Sequence, residues 1–374
     1  MSPTVSAERL LDDLDQLARI GGRPDGGVDR VAGSEADLEA RRWLRGRLEA
    51  AGLEARADEI NNVFGRLPGS RPPWLLIGSH TDTVPAGGRL DGAYGVIAAL
   101  EVVRALKDAG DPAAGRLEVV SFHDEERGLF GSRALCAGPH VRELAGYLEL
   151  HIEQGPRLES EGCGLGVVEG IVGIQNWEVV VRGAANHAGT TPWALRRDAG
   201  AVAGSLMAGL AELVQAVDPE MVANIGVLQL SPGARNVVPG EARLTVQVRC
   251  LREASLERGA AAIRGALEEA AQARGCRFEM TLGSANPPVA MDERVVAALE
   301  RVCERSGRRW RRLVSGAGHD AQMLAAQVPA GMLFVPSRGG VSHSPLEHTA
   351  DDLLVAGAQA LLEGALEVLP LLPG

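Results

Sequence analysis

The sequence is poor in lysine, in paired cysteines and in positive charge, and each shortage argues against a class of protein. Lys107 is the one lysine, and 49 acidic residues outnumber 38 basic ones, which gives a net charge of −11. Such an acidic chain is a poor candidate for binding nucleic acid or an anionic membrane, so we expect neither as a partner. The five cysteines are odd in number and include no Cys-x-x-Cys pair, which argues against a disulfide framework or a structural zinc knuckle.

Long apolar segments are also missing from the sequence. No stretch approaches the roughly 20 consecutive apolar residues that a membrane helix needs. The first twenty residues contain early acids and no unbroken apolar run, so we expect no signal peptide. These features predict a cytoplasmic protein in a reducing compartment. The 374 residues are 45% hydrophobic and 23% charged, which is ordinary for globular proteins, and their number suggests two domains or one large one.

Apolar runs that alternate with helical patterns predict an α/β fold. The runs 74–78 and 117–122 are continuously apolar, as in strands that are buried on both faces, and the helical pattern 93–108 joins them. A strand, helix and strand with short connections form a βαβ unit, so the two strands should be parallel. The runs 146–152 and 331–335 predict further strands of the same sheet. We therefore predict a mixed, mostly parallel sheet flanked by helices.

The middle of the chain has a different pattern. Segments 176–183 and 241–249 alternate apolar and polar residues, which favours an antiparallel sheet with one wet face. Two predicted helices lie between and after these strands. The pattern indicates a smaller α+β domain inserted into the larger one. We expect the inserted domain to span 174–285 and the larger domain to comprise 1–173 and 286–374.

Polar residues gather where the predicted parallel strands end. In open α/β sheets, ligands bind beyond the carboxyl ends of the strands. Four such ends each contribute a histidine or a carboxylate, and this convergence is stronger evidence than any single motif. The residues at these ends are His80, Asp82, Asp91, His123, Asp124, Glu125, Glu126, His151, Glu153, Gln154, Ser342 and His343.

Several histidines and carboxylates in one cleft favour a metal site. Imidazole nitrogen and carboxylate oxygen suit zinc, manganese, cobalt or nickel, and a carboxylate between two histidine clusters can bridge two ions. Asp82 lies two residues beyond His80 and could accept the second ring N–H of that histidine or of a neighbour. Glu125 and Glu126 are adjacent, so one could bind a metal while the other takes a proton from water. Spacing alone does not decide between these two glutamates.

The inserted domain carries a second polar cluster. His187 follows an alternating strand and could be a core histidine, a third metal ligand or a donor to an oxyanion. Asn236 lies in a predicted loop, and Arg249 ends the next strand. An asparagine with an arginine suits a carboxylate substrate, because a guanidinium offers two parallel donors. The alternative for Arg249 is an ordinary surface salt bridge.

Several motifs together resemble the M20 metallopeptidase clan. They are most similar to its carbamoylase branch, which comprises N-carbamoyl-L-amino-acid hydrolases, allantoate amidohydrolases and β-ureidopropionases of the bacterial type. The resemblance runs from about residue 30 to about residue 350. The motifs are GSHTDTVPAGGRLDG at 78–92, ELHIEQGP at 149–156, NHAGTTP at 186–192, NVVPG at 236–240, SGAGHDAQ at 315–322 and GVSHSPLE at 340–347.

The resemblance implies an enzyme that hydrolyses a linear ureido or amide C–N bond. An N-carbamoyl-L-amino acid is the first expected substrate, with an amino acid, carbon dioxide and ammonia as products. Allantoate or ureidoglycolate hydrolysis is one alternative, and an aminoacylase or dipeptidase of the same clan is another. A metal-binding module without turnover is the alternative from a different class. The resemblance also implies a homodimer that forms through the smaller domain, which serves as a lid.

The resemblance assigns a role to each candidate side chain. Two divalent ions, which could be zinc, manganese, cobalt or nickel, would be held by five ligands, with Asp91 bridging. Those ligands are His80, Asp91, Glu126, His151 and His343. Glu125 would be the general base, Asp82 would support the ligands, and His187 would stabilise the oxyanion from the partner subunit. The substrate would be held by Gln154, Asn236 and Arg249, with Arg249 on its carboxylate.

The sequence departs from the pattern of this family in three places. Arg127 stands where a glycine usually follows the two glutamates, and Gln247 stands where an aspartate commonly precedes the substrate arginine by two residues. The stretch between Glu126 and His151 is also shorter than in many relatives. Because that stretch would border the pocket, we expect these differences to affect substrate identity more than reaction type.

Overall fold

The structure, a computed structural model, describes residues 3–372. It divides into two compact units, of which the larger comprises 1–171 and 290–374 and the smaller comprises 172–289. The domain boundaries predicted from the sequence lie within a few residues of these two breaks. That the smaller unit acts as a lid and forms a dimer stays a prediction.

Nine strands of the described residues form one sheet, which lies in the larger unit except for Val289, the first residue of β13; all elements are numbered along the chain. These strands are β1 (Glu54–Ala57), β2 (Val63–Arg66), β3 (Trp74–His80), β4 (Leu117–Phe122), β5 (Leu144–Ile152), β6 (Leu165–Ile171), β13 (Val289–Ala290), β14 (Trp310–Ser315) and β15 (Ala330–Val335). Their order is β1-β2-β4-β3-β5-β15-β6-β13, and β14 pairs with β6. The strands β4, β3, β5 and β15 form a parallel centre, whereas the pairs β1–β2, β2–β4 and β6–β15 are antiparallel. The predicted mixed sheet is confirmed.

The central strands are those with continuous apolar runs. Every residue of β3, β4 and β5 is buried, which is why these segments are apolar throughout and do not alternate. Leu75 in β3 lies opposite Leu117 in β4 in a parallel register, so both strands end at the same edge of the sheet. The polar residues that follow the two strands are therefore brought to one place.

Eight helices surround this sheet within the described residues. They are α1 (Ala7–Arg19), α2 (Glu35–Ala50), α3 (Ala93–Asp108), α4 (Phe130–Ala137), α5 (Arg157–Ser160), α8 (Glu293–Arg305), α9 (Ala321–Leu324) and α10 (Asp351–Val368). The helix α3 connects β3 to β4 as the predicted βαβ unit requires, and it is buried along nearly its whole length against both strands, α1 and α10. The start of α3 is thereby held at the edge where β3 ends.

The smaller unit is an antiparallel sheet covered by two helices. Its elements are β7 (Gly173–Arg182), β8 (Asn186–His187), α6 (Ala199–Val217), β9 (Val222–Ser231), β10 (Val237–Val238), β11 (Glu241–Cys250), α7 (Glu253–Ala273) and β12 (Arg277–Asn286). The sheet order is β12-β7-β11-β9, and β8 and β10 form a separate two-stranded ribbon. Ala242, Leu244, Val246 and Val248 alternate toward the core against α6 and α7, as the polar–apolar alternation of β11 predicts.

Two helices of the structure are long and apolar enough to cross a membrane, judged by length and composition only. They are Ala199–Val217 and Asp351–Leu371. Core helices of globular units have the same character, and each of these two packs against its own unit, α6 on β9 and β11 and α10 on β15, α3 and α8. The two helices are therefore weak evidence for a membrane location, although the sequence predicted no such segment.

Candidate metal centre

The candidate site lies at the carboxyl edge of the parallel strands. His80 is the last residue of β3 and His151 is the penultimate residue of β5. Asp91 comes two residues before α3, and Glu126 follows β4 in the next loop. His343 lies in the loop after β15. Because these parallel strands end together, residues that are far apart in sequence meet at one edge, as expected for an open α/β sheet.

The first group of possible metal ligands comprises His80, Asp91 and His151. The Nε2 atom of His151 lies 3.1 Å from Oδ1 of Asp91, and Nε2 of His80 lies 3.8 Å from the same oxygen. All three side chains are buried. Gly92 has a φ of 62°, and a Cβ there would lie 2.4 Å from the His80 ring, so a glycine lets the aspartate approach this histidine.

The second group comprises Asp91, Glu126 and His343. Nε2 of His343 lies 3.1 Å from Oδ2 of Asp91 and 3.5 Å from Oε2 of Glu126. Asp91 therefore presents one carboxylate oxygen to the first group and its other oxygen to the second. Buried Oε1 of Glu126 has no hydrogen-bond partner within residues 3–372. In each group the donor atoms lie within 4.8 Å of one another, which fits nitrogen and oxygen coordination of a divalent cation.

Backbone carbonyls orient two of the histidines. Nδ1 of His80 donates to the carbonyl oxygen of Asp82 at 3.1 Å, and Nδ1 of His151 donates to the carbonyl oxygen of Ile152 at 2.8 Å. With Nδ1 engaged in this way, Nε2 is the ring nitrogen of each histidine that faces Asp91. Such outer hydrogen bonds fix the tautomer of metal-binding histidines.

Asp82 supports the site in a different way from the expected one. Its carbonyl, and not its carboxylate, accepts the ring N–H of His80, since the carboxylate lies 3.6 Å from that nitrogen. The carboxylate instead accepts the backbone N–H groups of Glu125 and Glu126 at 3.4 and 3.3 Å. Asp82 thus ties the end of β3 to the loop that carries both glutamates.

The surroundings of Glu125 and Asp91 shift the pKa values of these two carboxyl groups in opposite directions. Burial raises the pKa of Glu125 well above its usual range, and the nearby carboxylates of Asp320, Glu126 and Asp91 add to the effect. Burial alone would also raise the pKa of Asp91, but hydrogen bonds to His151 and His343 outweigh it and hold that pKa well below its usual range. The site therefore contains one carboxylate that readily stays ionised and one that takes up protons easily. Oε2 of Glu125 lies 3.7 Å from Nε2 of His80.

Gln154 belongs to the same cluster. Its Nε2 donates to Oδ2 of Asp91 at 2.9 Å and to the hydroxyl of Ser342 at 3.2 Å, and it lies 3.4 Å from Nε2 of His343. A backbone φ of 56° places this side chain over the second ligand group. The structure thus brings together every residue of the larger unit to which the resemblance assigns a role, while those roles stay predictions.

The remaining candidates lie in the smaller unit. Nδ1 of His187 accepts the backbone N–H groups of Gly189 and Thr190 at 3.1 and 3.2 Å, so the proton is on Nε2, as a hydrogen-bond donor requires. The β8–β10 ribbon brings Asn236 next to this segment, and the carbonyl of Asn236 accepts the N–H of Ala188 at 2.9 Å.

Arg249 occupies the sheet of the smaller unit. Its Nε donates to Oε1 of Gln247 at 2.8 Å, and Nε2 of Gln247 donates to Oδ1 of Asn176 at 2.9 Å. Asn176 in turn donates to the hydroxyl of Ser284 at 2.9 Å. Because Gln247 departs from the family pattern, a chain of hydrogen bonds between uncharged side chains crosses three strands and orients the guanidinium of Arg249.

Arg127, the other departure, turns away from the ligands. Its guanidinium forms two hydrogen bonds of 2.7 Å with the Asp124 carboxylate. His123 likewise stands apart, since its Nδ1 lies 3.9 Å from Asp37. Glu153 accepts the backbone N–H groups of Arg157 and Leu158 at the start of α5. These residues of the predicted strand ends serve the local structure.

Sequence reasoning missed four acidic or imidazole groups around the site. They are Glu149, His319, Asp320 and Glu347. Glu149 and His319 form a third possible ligand group with His151, and the rings of the two histidines are 4.6 Å apart. The signal for Glu149 was available, because it precedes His151 by two residues on a strand and therefore points to the same face. The other three lie in motifs that were quoted for the resemblance and given no role.

The chain is similar to known proteins over nearly its whole length. The sequence profile described as Peptidase family M20/M25/M40 matches residues 76–367. An allantoate amidohydrolase of Bacillus subtilis (strain 168) is 33% identical, with 95% of this chain and 96% of that protein covered. An N-carbamoyl-L-amino-acid amidohydrolase of Pseudomonas sp. (strain NS671) is 32% identical, with 97% and 99% covered. The crystal structure of an amidase of the hydantoinase/carbamoylase family from Burkholderia multivorans has a TM-score of 0.90 at 33% identity, and 98% of each chain is covered.

Proposed function

The chain belongs to the peptidase family M20/M25/M40 and is a hydrolase of C–N bonds, and we propose that its substrate is an N-carbamoyl-L-amino acid. Hydrolysis of the linear ureido bond would release the amino acid, carbon dioxide and ammonia. Allantoate or ureidoglycolate is the alternative substrate, because relatives of 33% and 30% identity are an allantoate amidohydrolase and a ureidoglycolate hydrolase. An aminoacylase or dipeptidase with the same metal centre is the third candidate.

The observation that carries this proposal is the position of Asp91, whose two carboxylate oxygens each belong to a separate group of possible metal ligands. One ion would be held by His80, Asp91 and His151, and a second by Asp91, Glu126 and His343. When bound, two divalent ions such as zinc, manganese, cobalt or nickel polarise a carbonyl oxygen and make water a stronger acid. The shared carboxylate and the donor types support a pair of ions at this edge of the sheet.

Glu125 is the general base of the proposed reaction. It is buried beside the ligands, 3.7 Å from Nε2 of His80, without taking part in either ligand group. The carboxylate would take a proton from the attacking water and return it to the leaving nitrogen. Its raised pKa suits this task, because a base whose pKa lies nearer to the working pH can also donate the proton back.

Three residues of the smaller unit would hold the substrate. Arg249 offers a guanidinium fork to the substrate carboxylate, and its orientation by Gln247 supports this role. Asn236 would donate an amide hydrogen, as Gln154 of the larger unit would. His187, with its proton on Nε2, would donate to the oxyanion that develops when the carbonyl carbon is attacked.

We further propose a cytoplasmic homodimer that forms through the smaller unit. The strand β9 is an edge of the four-stranded sheet, and Val222, Val227, Leu228 and Leu230 on it are exposed. An exposed apolar edge strand invites pairing with another chain unless something covers it. In the dimer, His187 of one subunit would serve the metal centre of its partner. The cytoplasmic location is supported by five cysteines that are all free thiols.

A substrate panel tests the function. Full-length protein loaded separately with zinc, manganese, cobalt or nickel would be assayed for release of ammonia or of the free amine. The panel contains N-carbamoyl-L-amino acids, N-carbamoyl-β-alanine, allantoate, ureidoglycolate and N-acetyl-L-amino acids. We expect the highest kcat/KM for an N-carbamoyl-L-amino acid. A preference for N-acetyl compounds would favour the aminoacylase instead. If the protein and its Glu125→Gln variant are equally inactive on every compound, the enzymatic function is wrong.

A further inference from the structure

We propose that the larger unit contains a second ligand site, which binds a small dianion whose charge is carried by phosphate or carboxylate oxygens. The site is a cavity of about 370 Å³ on the flank of the unit. Its walls come from the segment after α5, the residues before β14, the loop after β15 and the start of α10. Among its lining residues are Glu159, Arg308, Arg309, Arg338 and His348. A volume of this size lies at the lower end of the range for small-molecule sites, roughly 300–1,000 Å³.

The acidic groups at this cavity already have partners. Oε2 of Glu159 accepts the backbone N–H of Gly339 at 2.6 Å. The carboxylate of Asp352 accepts a hydrogen bond of 3.2 Å from Nη1 of Arg308. Glu159 and the guanidinium of Arg308 are therefore already bound to neighbouring groups. The positive charge available to bind a ligand comes from the other basic residues of the wall.

Those other basic residues are Arg309 and Arg338. The guanidinium group of neither residue forms a hydrogen bond or an ion pair with any residue in the described range 3–372. Both arginines are exposed and line the cavity. Since a guanidinium can donate two parallel hydrogen bonds, we expect the two together to bind phosphate or paired carboxylates. Burial lowers the pKa of His348, and the positive charges of Arg338 and Arg89 lower it further. The wall therefore presents two guanidinium groups that no carboxylate of the described residues pairs, although the chain as a whole is acidic.

The cavity shares a loop with the metal centre without sharing its residues. The backbone N–H of Arg338 donates to the carbonyl of His348 at 2.9 Å and closes the base of this loop. His343, a ligand candidate, lies between these two residues. An anion held by Arg338 would stabilise the base of this loop. The ligand is therefore expected to raise thermal stability as well as to bind.

Isothermal titration calorimetry on the metal-loaded, full-length protein tests this proposal. Inorganic phosphate is titrated in one arm and succinate in the other, with chloride to keep the ionic strength equal. We expect saturable binding of at least one of the two anions and a matching rise in Tm. Arg309→Gln and Arg338→Gln should each weaken that binding about tenfold, as loss of a charge-assisted contact does. The matched control is Arg42→Gln, which removes an exposed arginine of α2 and should leave binding unchanged.

The two arms and the variants separate the possible outcomes. Binding of phosphate alone identifies a phosphate-bearing ligand, and binding of succinate alone identifies a dicarboxylate; both support the site. Basal hydrolysis should stay within about twofold of the parent in all three variants, because none of these arginines belongs to the metal centre. Anion binding at the metal ions would persist in Arg309→Gln and Arg338→Gln. The proposal is overturned if both variants bind like the parent, or if neither anion binds saturably.

Discussion

The carboxylate of Glu347 accepts the backbone N–H of Asp91 at 3.1 Å. The same oxygen, Oε1, accepts the N–H of Leu90 at 2.8 Å, and Oε2 accepts the hydroxyl of Ser342 at 2.9 Å. Glu347 is buried, so these three bonds are made away from water. The residue joins the segment of the shared aspartate to the loop of His343, the ligand candidate that lies farthest along the chain.

This relationship predicts that Glu347→Ala weakens metal binding without removing a ligand. The change leaves two buried N–H groups without an acceptor, each at a cost of about 1–3 kcal/mol. Loss of such outer contacts typically reduces metal affinity by roughly 10–100-fold. Competition with a chelator measures the affinity, and thermal unfolding of the metal-free protein measures the separate effect on stability. Glu347→Gln keeps an acceptor oxygen and should recover most of the affinity.

Gly88 provides an independent test of the same contact. A Cβ at this position would lie 2.0 Å from the Glu347 carboxylate, so Gly88→Ala must displace that side chain. We expect the metal affinity of this variant to fall in the same direction as in Glu347→Ala. Unchanged chelator competition in both variants would show that the contact has no part in holding the metal.

The hydrogen bond between Gln247 and Arg249 predicts that a change at Gln247 affects substrate binding and not the chemical step. In Gln247→Ala the guanidinium loses the acceptor at 2.8 Å that orients it. We expect KM for an N-carbamoyl amino acid to rise about tenfold at nearly constant kcat, the pattern of lost uniform binding. A substrate whose carboxylate is converted to an amide should bind weakly to parent and variant alike. A fall in kcat with no change in KM would contradict this role.

A mixed dimer tests whether His187 acts across the subunit interface. Glu125→Gln and His187→Ala should each be nearly inactive alone. The two variants are co-expressed with different tags, and the mixed dimer is purified through both tags. It should recover about half of the parent activity, because one of its two sites then has both residues intact. No recovery would place His187 and Glu125 of one subunit in the same site.

The lowered pKa of Asp218 predicts that the stability of the smaller unit depends on pH. Burial alone would raise the pKa of Asp218, but hydrogen bonds from Arg252, Ser255 and the backbone N–H of Glu220 outweigh it and hold the pKa well below its usual range. A carboxylate with a lowered pKa in the folded state stabilises the protein above its unfolded pKa, about 3.9, and this contribution is lost as the pH falls further.

Urea unfolding followed between about pH 7 and pH 3 measures this contribution. The parent should lose stability more steeply at the acidic end than Asp218→Asn does, while at neutral pH the variant should be the less stable protein. Arg294→Gln is a suitable control, since its ion pair with Asp292 is more exposed than that of Asp218. Parallel curves for the parent and Asp218→Asn would show that this carboxylate contributes no pH dependence.

The predicted elements were those with a strong periodic signal. The helix α3 and the strands β3 and β4 are recognisable because their residues are apolar in continuous runs or at helical spacing. The strands β1 and β9 were not predicted. Strand β1 has four residues and is polar and partly exposed, and strand β9 is an exposed edge strand. Such strands are defined by their backbone pairing partners, which a single segment of sequence does not reveal.

The sequence by itself determined which side chains stand at the ends of the parallel strands, because apolar runs predict the strands and topology brings their ends together. It thereby indicated that His80, Asp91 and His151 would meet. Only the tertiary structure decided that the carbonyl of Asp82 orients the first histidine and that Glu347 holds the backbone of the aspartate. Those contacts involve backbone groups that every residue carries, so their partners depend on how distant segments pack and leave no pattern in the sequence.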